Sequence, residues 1–81
     1  MIKLIKHNNN ATEILNETTP AQSIFFSYET PVAGLDEKGY FKTDKKYSMT
    51  TTKHINKWLI KNNATNARVV KQSFIDELLN V

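Results

Sequence analysis

The sequence of 81 residues contains no cysteine, two glycines, two prolines and a single arginine. Without cysteine the chain can form neither a disulfide nor a thiolate metal site. Gly34 and Gly39 alone do not make a glycine-rich phosphate-binding loop. No apolar run approaches the roughly 20 residues that a bilayer-crossing helix needs, and the N-terminus lacks the apolar segment of a signal peptide. These absences predict a soluble, intracellular protein with no membrane partner.

Catalytic groups are equally scarce. The two histidines, His7 and His54, stand in different contexts, and neither belongs to a His-x-x-x-His or Glu-x-x-His metal-binding pattern. The hydroxyls of Thr50–Thr52 lie close in sequence to the imidazole of His54, and a hydroxyl beside an imidazole is the pairing of nucleophile and base used in some enzymes. Such hydroxyls are more typical of the residues that cap the start of a helix. The sequence therefore predicts a protein that is not an enzyme, with no catalytic residue, cofactor or metal.

Positive charge is concentrated in the middle of the chain. Residues 42–71 include eight basic side chains and one acid, a local charge of +7, whereas residues 1–41 and 72–81 each carry a local charge of −2. The formal net charge is +3. A one-sided field of this kind steers a protein toward an anionic surface.

Alternating apolar residues predict four strands before the first helix, at residues 1–6, 12–15, 23–35 and 40–47. The third signal is the strongest, because Ile24 and Phe26 fall on one face and Phe25 falls on the other. Asp36–Gly39 predicts a tight hairpin turn in which Gly39 supplies the positive φ.

Two helices are expected in the second half. The first covers residues 51–63, begins at hydroxyl caps from Ser48 onward and carries Trp58 on its apolar side. A strand at residues 67–71 follows, and Ser73 is predicted to cap a short final helix. The expected order is β-(β)-β-β-α-β-α. This is an α+β fold in a single domain of residues 1–81, with a small antiparallel sheet built on a central hairpin and packed by two helices.

The first helix needs an apolar surface, and the hairpin offers the largest one. We expect the helix residues Ile55, Trp58 and Leu59 to pack on the hairpin residues Ile24, Phe26, Leu35 and Phe41. The final helix is expected to close the remaining edge with Phe74, Leu78 and Leu79. Phe25 is then left on the outward face, where it favours partner contacts or self-association. Both a monomer and a homodimer are compatible with an unpaired hairpin edge.

Basic and aromatic residues around the first helix form the candidate partner-binding site. Its members are Lys42, Lys45, Lys46, Lys53, His54, Lys57, Lys61, Tyr40 and Tyr47. Lysines interleaved with tyrosines are typical of nucleic-acid binding, in which bases stack on aromatic rings. The same residues also suit an acidic protein surface, and lysine stripes of this kind are common on solvated helix faces that bind nothing. Only one arginine is present, and no helix-turn-helix or zinc-finger pattern occurs.

Two stretches of the sequence form a recognisable pair. The first is Phe-Ser-Tyr-Glu-Thr-Pro-Val-Ala at residues 26–33, and the second is Tyr-Ser-Met-Thr-Thr-Thr-Lys-His-Ile-Asn-Lys-Trp-Leu at residues 47–59. Together they resemble a family of small, functionally uncharacterised domains encoded by tailed bacteriophages. The resemblance extends from about Thr12 to Leu79. It implies a phage accessory protein in the host cytoplasm, but supplies no catalytic residues.

Small phage proteins of this class often bind and block a host machine. The leading functional hypothesis is therefore a non-enzymatic inhibitor that docks on a host defence complex, with a CRISPR effector as the most favoured target, and acts by steric occlusion. The alternative is a small nucleic-acid-binding protein that uses the lysine face of the 51–63 helix.

Overall fold

The computed structural model describes residues 2–8, 10–16 and 21–78. The strands are β1 (Ile2–Asn8), β2 (Ala11–Asn16), β3 (Ala21–Ser27), β4 (Thr30–Asp36), β5 (Gly39–Thr43) and β6 (Arg68–Val70). The helices are α1 (Met49–Lys61), between β5 and β6, and α2 (Gln72–Leu78), after β6. The predicted α+β class is confirmed. The sheet is larger than expected, since five strands precede α1 instead of four.

The six strands form one sheet in chain order, β1 to β6. Neighbouring strands from β1 to β5 are antiparallel, while β6 runs parallel to β5, with Phe41 opposite Arg68. Parallel neighbours need a crossover connection rather than a tight turn, and α1 supplies it. The helix is thereby laid across one face of the sheet, which we call the α1 face.

The 23–35 segment forms two strands instead of the predicted single one. β3 ends at Ser27 and β4 begins at Thr30, with Tyr28 and Glu29 forming the turn. Tyr28 has a φ of 59°, a left-handed conformation uncommon for a residue other than glycine or asparagine. Its backbone N–H donates to the carbonyl of Asn10 at 2.6 Å. No glycine marks this turn, so its sequence lacks the usual hairpin signal.

The predicted turn at Asp36–Gly39 is confirmed. Asp36 and Gly39 pair across β4 and β5, and Gly39 has a φ of +116°. The Lys38 backbone N–H donates to the Asp36 carboxylate at 2.9 Å. The returning strand is shorter than predicted, because it ends at Thr43 rather than at Tyr47.

Each face of the sheet has its own core. On the α1 face, Ile55, Trp58 and Leu59 pack with Phe25, Val32 and Ala33, together with Ala11 and Ala64. On the opposite face, the α2 face, Ile75 packs with Ile24 and Phe41, and Phe26, Val70 and Leu78 are partly buried against them.

Three of the four hairpin residues predicted to pack against α1 are therefore assigned to the wrong helix. Ile24, Phe26 and Phe41 lie under α2 and not under α1. Phe25, expected on the outward face, is only 1% exposed and packs beneath Trp58. The alternation along β3 does separate the two faces correctly. It carries no information about which helix covers which face, and that assignment is where the prediction fails.

The helix boundaries differ slightly from the predicted ones. α1 begins two residues early, and Ser48 caps it by accepting the Thr51 N–H at 3.1 Å. The prediction that Ser73 caps the final helix is wrong, because α2 starts at Gln72 and already contains Ser73. Phe74 is 36% exposed, with its ring edge-on to Phe41 at 5.7 Å, and the predicted contribution of Leu79 lies outside the described residues. Neither helix in the described part of the chain has the length and apolar character to span a membrane.

Candidate binding site

The α1 face contains a buried carboxylate. Glu13, on β2, is 9% exposed and lies opposite Phe25. Its Oε1 accepts hydrogen bonds from the Trp58 Nε1–H at 3.0 Å and from His7 Nε2 at 2.9 Å. Its Oε2 accepts the hydroxyl hydrogen of Ser23 at 2.5 Å. Side chains from β1, β3 and α1 therefore converge on one carboxylate of β2.

These contacts determine the charge of the carboxylate. Burial by itself raises the pKa of Glu13, because a low-dielectric environment disfavours the ionised form. The hydrogen bonds from Ser23, Trp58 and His7, together with the charge of His7, outweigh this effect and hold the pKa of Glu13 below its ordinary value. Glu13 is consequently ionised at neutral pH.

The carboxylate lies in the wall of an open groove of about 650 Å³. We call this cavity the Glu13 groove. It is lined by Ile5, His7, Glu13, Leu15, Ser23, Leu35, Tyr40, Lys61 and Asn62. A second cavity of about 190 Å³ shares His7 and Lys61 with the groove and adds Lys57 and His54 to its lining. The groove exists because α1 ends at Lys61 and leaves part of the α1 face uncovered.

Aromatic packing holds the C-terminal half of α1 beside the groove. The Trp58 ring stacks on Phe25 at a centroid distance of 5.0 Å and meets the Tyr40 ring edge-on at 5.5 Å. The Tyr40 hydroxyl donates to the Asn62 amide oxygen at 3.3 Å, and the Asn62 Nδ2 donates to the Trp58 carbonyl at 2.8 Å. Tyr40, predicted as an exposed base-stacking residue, thus belongs to the wall of the groove.

A group of hydroxyls joins the other end of α1 to the sheet. The Ser27 hydroxyl, on β3, donates to Thr51 Oγ1 at 3.0 Å and lies 2.8 Å from His54 Nδ1. The Ser48 hydroxyl also donates to Thr51 Oγ1 at 3.3 Å. The Tyr28 ring lies 5.9 Å from the His54 ring. The hydroxyl beside His54 therefore belongs to Ser27 on β3 and not to one of Thr50–Thr52. Because Ser27 is buried and lies on β3, this contact connects α1 to the sheet.

The predicted lysines fall into two groups on opposite flanks of α1. Lys57 and Lys61 line the cavities on the β1–β2 side, together with His7. Lys42, Lys45 and Lys46 line a shallow depression with Thr52 and Asn56, which project from the other side of the helix. Lys53 is exposed and lines neither cavity. The structure thus places Lys42, Lys45 and Lys46 on one side of α1 and Lys57 and Lys61 on the other. The predicted lysines do not form one patch.

Tyr47 has a different environment from Tyr40. Its ring is 37% exposed and lies 5.2 Å from the Lys45 ammonium nitrogen, a cation–π contact. Partial burial, with a smaller effect from the Asp76 carboxylate, raises the pKa of Tyr47 above its ordinary value. Tyr47 is the more accessible of the two tyrosines for a partner.

Sequence reasoning assigned no functional role to Glu13, Ser23, Ser27 or His7. One signal was available for Glu13: in a strand, it shares a face with Ala11 and Leu15, so an acid alternates with apolar residues there. Within residues 2–8, 10–16 and 21–78, no group of three histidine or acidic side chains is arranged to hold a metal ion.

The chain belongs to a family of unknown function, DUF8033, whose model matches residues 2–77. The match includes all six strands, α1 and most of α2. No significant match to the chain is found among curated proteins or among solved structures. The family description names no activity, so the function has to be argued from the site itself.

Proposed function

We propose that this protein is a non-enzymatic binding protein that docks on an anionic partner surface through the lysines around α1. The observation that carries the proposal is that these lysines form no ion pair with an acidic side chain in the described part of the chain. Lys53, Lys57 and Lys61 are exposed at four-residue spacing, and the ion pairs found among the described residues are His7–Glu13 and Arg68–Asp36. Helix lysines without a neighbouring acid create a positive field that accelerates encounter with an anionic surface.

The partner we propose is a host defence complex, and the protein is then a phage accessory protein that inhibits it. A CRISPR effector is the favoured target, because small phage proteins of the class that the sequence resembles often bind and block host machines of this kind. The mechanism is steric occlusion: the protein covers a surface that the complex needs, while the lysines chiefly raise the association rate. This assignment rests on the sequence resemblance for the phage context and on the lysine positions for the contact surface.

Direct nucleic-acid binding is the second candidate. It is favoured by the position of Lys57 and Lys61, which line the cavities together with His7 and His54 instead of projecting only into solvent. On this candidate, phosphates follow the helix lysines. The affinity for bare DNA or RNA then falls steeply with salt, and each lost phosphate contact reduces the salt slope by about one.

A matched pair of charge-reversed variants tests the docking surface. The triple variant K53E/K57E/K61E removes the helix lysines, while K6E/K38E/K71E makes the same change in net charge at exposed lysines elsewhere. Both are expressed in host cells challenged by phage, and each is used as bait in a pull-down from host lysate. We expect the helix variant alone to lose capture of effector subunits and inhibition of defence.

Two outcomes contradict the proposed function. One is an intact host defence on expression of the unmodified protein, with no effector subunit recovered. The other is equal loss of binding in both triple variants, which would show that net charge matters and the position of the lysines does not. Salt-sensitive binding of the purified protein to bare nucleic acid, abolished only in the helix variant, would favour the second candidate instead.

A further inference from the structure

The Glu13 groove has a property that the lysine surface does not explain. Placing an ionised carboxylate at 9% exposure carries a large desolvation cost. An apolar side chain at position 13 would continue the apolar character of Leu15 without that cost. Instead, His7, Ser23 and Trp58 are all directed at the carboxylate. Ionised groups held in this way at the wall of a cavity are typical of binding sites.

The carboxylate retains capacity for one more donor. A carboxylate offers about four lone-pair positions, two on each oxygen. Among the described residues, Oε1 accepts two hydrogen bonds and Oε2 accepts the Ser23 hydroxyl. One position on Oε2 is thus left for an N–H or O–H group of a ligand in the groove. An anionic group is excluded from that position by charge repulsion.

The rest of the groove defines the body and the anionic group of the ligand. Ile5, Leu15 and Leu35 are half-buried and give the groove apolar walls, and the Tyr40 ring adds a flat one. The volume of about 650 Å³ lies within the range of small-molecule sites. Lys61 lines both the groove and the second cavity, and Lys57 lines the second cavity. A matching ligand combines an N–H donor for Glu13, a flat, largely apolar body and an anionic group for Lys61 and Lys57.

We propose that the Glu13 groove binds a nucleotide whose base carries an exocyclic amino group. The amino group of adenine, cytosine or guanine donates to Glu13 Oε2, the base lies against the apolar walls and Tyr40, and the phosphate lies at Lys61 and Lys57. Uracil lacks the amino group and presents carbonyl oxygens on both sides of its N–H, which the carboxylate repels. The proposal goes beyond the docking function and does not depend on it, because a nucleotide site needs no host partner.

Binding of AMP, CMP, GMP and UMP to the full chain tests the proposal directly. Trp58 is the chain's one tryptophan, and its indole N–H donates to Glu13, so its NMR signal reports on the groove. We expect saturable shifts of that signal with the three amino-bearing nucleotides. The affinity for UMP should be lower by a factor of about ten or more, because one charge-assisted hydrogen bond is lost.

Three variants locate the site. L15W fills the groove and should abolish the shifts, while K61M should lower the AMP affinity about tenfold without disturbing the carboxylate. K71M removes an equally exposed lysine that lines neither cavity and should leave the affinity unchanged. Because K61M changes an exposed side chain, the test remains valid even if L15W fails to fold.

Several results would overturn the inference. They are UMP affinity equal to that of AMP, equal effects of K61M and K71M, or no saturable shift below about 1 mM of any nucleotide. A short oligoadenylate identifies the source of the ligand. Tighter, steeply salt-dependent binding than that of AMP indicates a base within a single strand, whereas binding no tighter than that of AMP indicates a free nucleotide. If the unmodified protein inhibits host defence but does not distinguish AMP from UMP, only the nucleotide site is refuted, so the two proposals fail separately.

Discussion

On the α2 face, Ile24, Phe41 and Ile75 form a buried cluster of apolar side chains, whereas the α1 face combines its apolar core with an ionised glutamate and a hydroxyl pair. Each face is covered by its own helix, so covering a face does not by itself require buried polar groups. Apolar packing depends mainly on volume and shape. A buried polar network additionally depends on every donor and acceptor being matched. The comparison teaches that the α1 face holds its charged group at 9% exposure within a hydrogen-bonded network. On the α2 face the buried cluster is apolar, and the Arg68–Asp36 ion pair beside Phe41 leaves its arginine partly exposed.

The largest expected effect comes from Trp58→Ala. Trp58 is 2% exposed, stacks on Phe25 and donates to Glu13, so its truncation creates a cavity and also leaves the carboxylate with one donor fewer. We expect a loss of about 3–5 kcal/mol in the free energy of unfolding. Urea denaturation followed by circular dichroism measures it.

Ile75→Ala is the matched change on the α2 face. Ile75 is fully buried, and its loss is expected to cost about 2–4 kcal/mol through the cavity alone. A larger loss for Ile75→Ala than for Trp58→Ala would contradict the view that the α1 face depends on both packing and polar contacts.

Gly34→Ala tests how tightly the α2 face is packed. A Cβ at Gly34 would lie 2.4 Å from the Ser23 carbonyl oxygen and 2.6 Å from Cζ of the Phe41 ring. Because one of these contacts is with backbone, the strands themselves must shift. We expect destabilisation of about 1–3 kcal/mol by thermal or urea unfolding.

Gly39→Ala serves as the comparison for Gly34→Ala. No atom lies within 4 Å of a Cβ at Gly39, so any penalty there comes from its positive φ and not from crowding. If Phe41→Leu partly rescues Gly34→Ala but not Gly39→Ala, the crowding explanation is confirmed. A change within about 0.5 kcal/mol of zero for Gly34→Ala would refute it.

Glu13→Gln gives the smallest effect at neutral pH, about 1–3 kcal/mol, because the Gln amide presents an N–H to groups that are themselves donors. The change in stability at acidic pH is a more specific test of the Glu13 carboxylate. The folded-state pKa of Glu13 is lowered from an ordinary value of 4.5, so its ionisation contributes stability that is fully present above that pH. That contribution is lost as the pH falls through the depressed pKa.

Unfolding measured from pH 7 down to below pH 4 should therefore show a steeper loss of stability in the unmodified protein than in Glu13→Gln. Glu77→Gln, at an exposed position on α2, is the control and should retain the steep loss. Parallel curves for the unmodified protein and Glu13→Gln would show that the carboxylate is not stabilised by its three donors.

Local features of the fold were predictable because they depend on neighbouring residues. The alternation of Ile24, Phe25 and Phe26 separated the two faces, and Gly39 marked its turn. The first helix was expected at residues 51–63 with Trp58 on its buried side, and it lies at Met49–Lys61. The turn at Tyr28 was missed because its conformation is maintained by a backbone contact with Asn10, which is distant in sequence.

By itself, the sequence determined the α+β class, the alternation of side chains along β3, the turn at Gly39 and the concentration of lysines in the middle of the chain, since all of these follow from composition or short-range pattern. Only the tertiary structure decided which helix covers which face, and how the lysines divide around α1. It also created the environment of Glu13, because the donors are 6, 10 and 45 residues away along the chain. Hydrogen bonds act over about 3 Å, so folding of β1, β2, β3 and α1 together is what makes one glutamate a buried, ionised group.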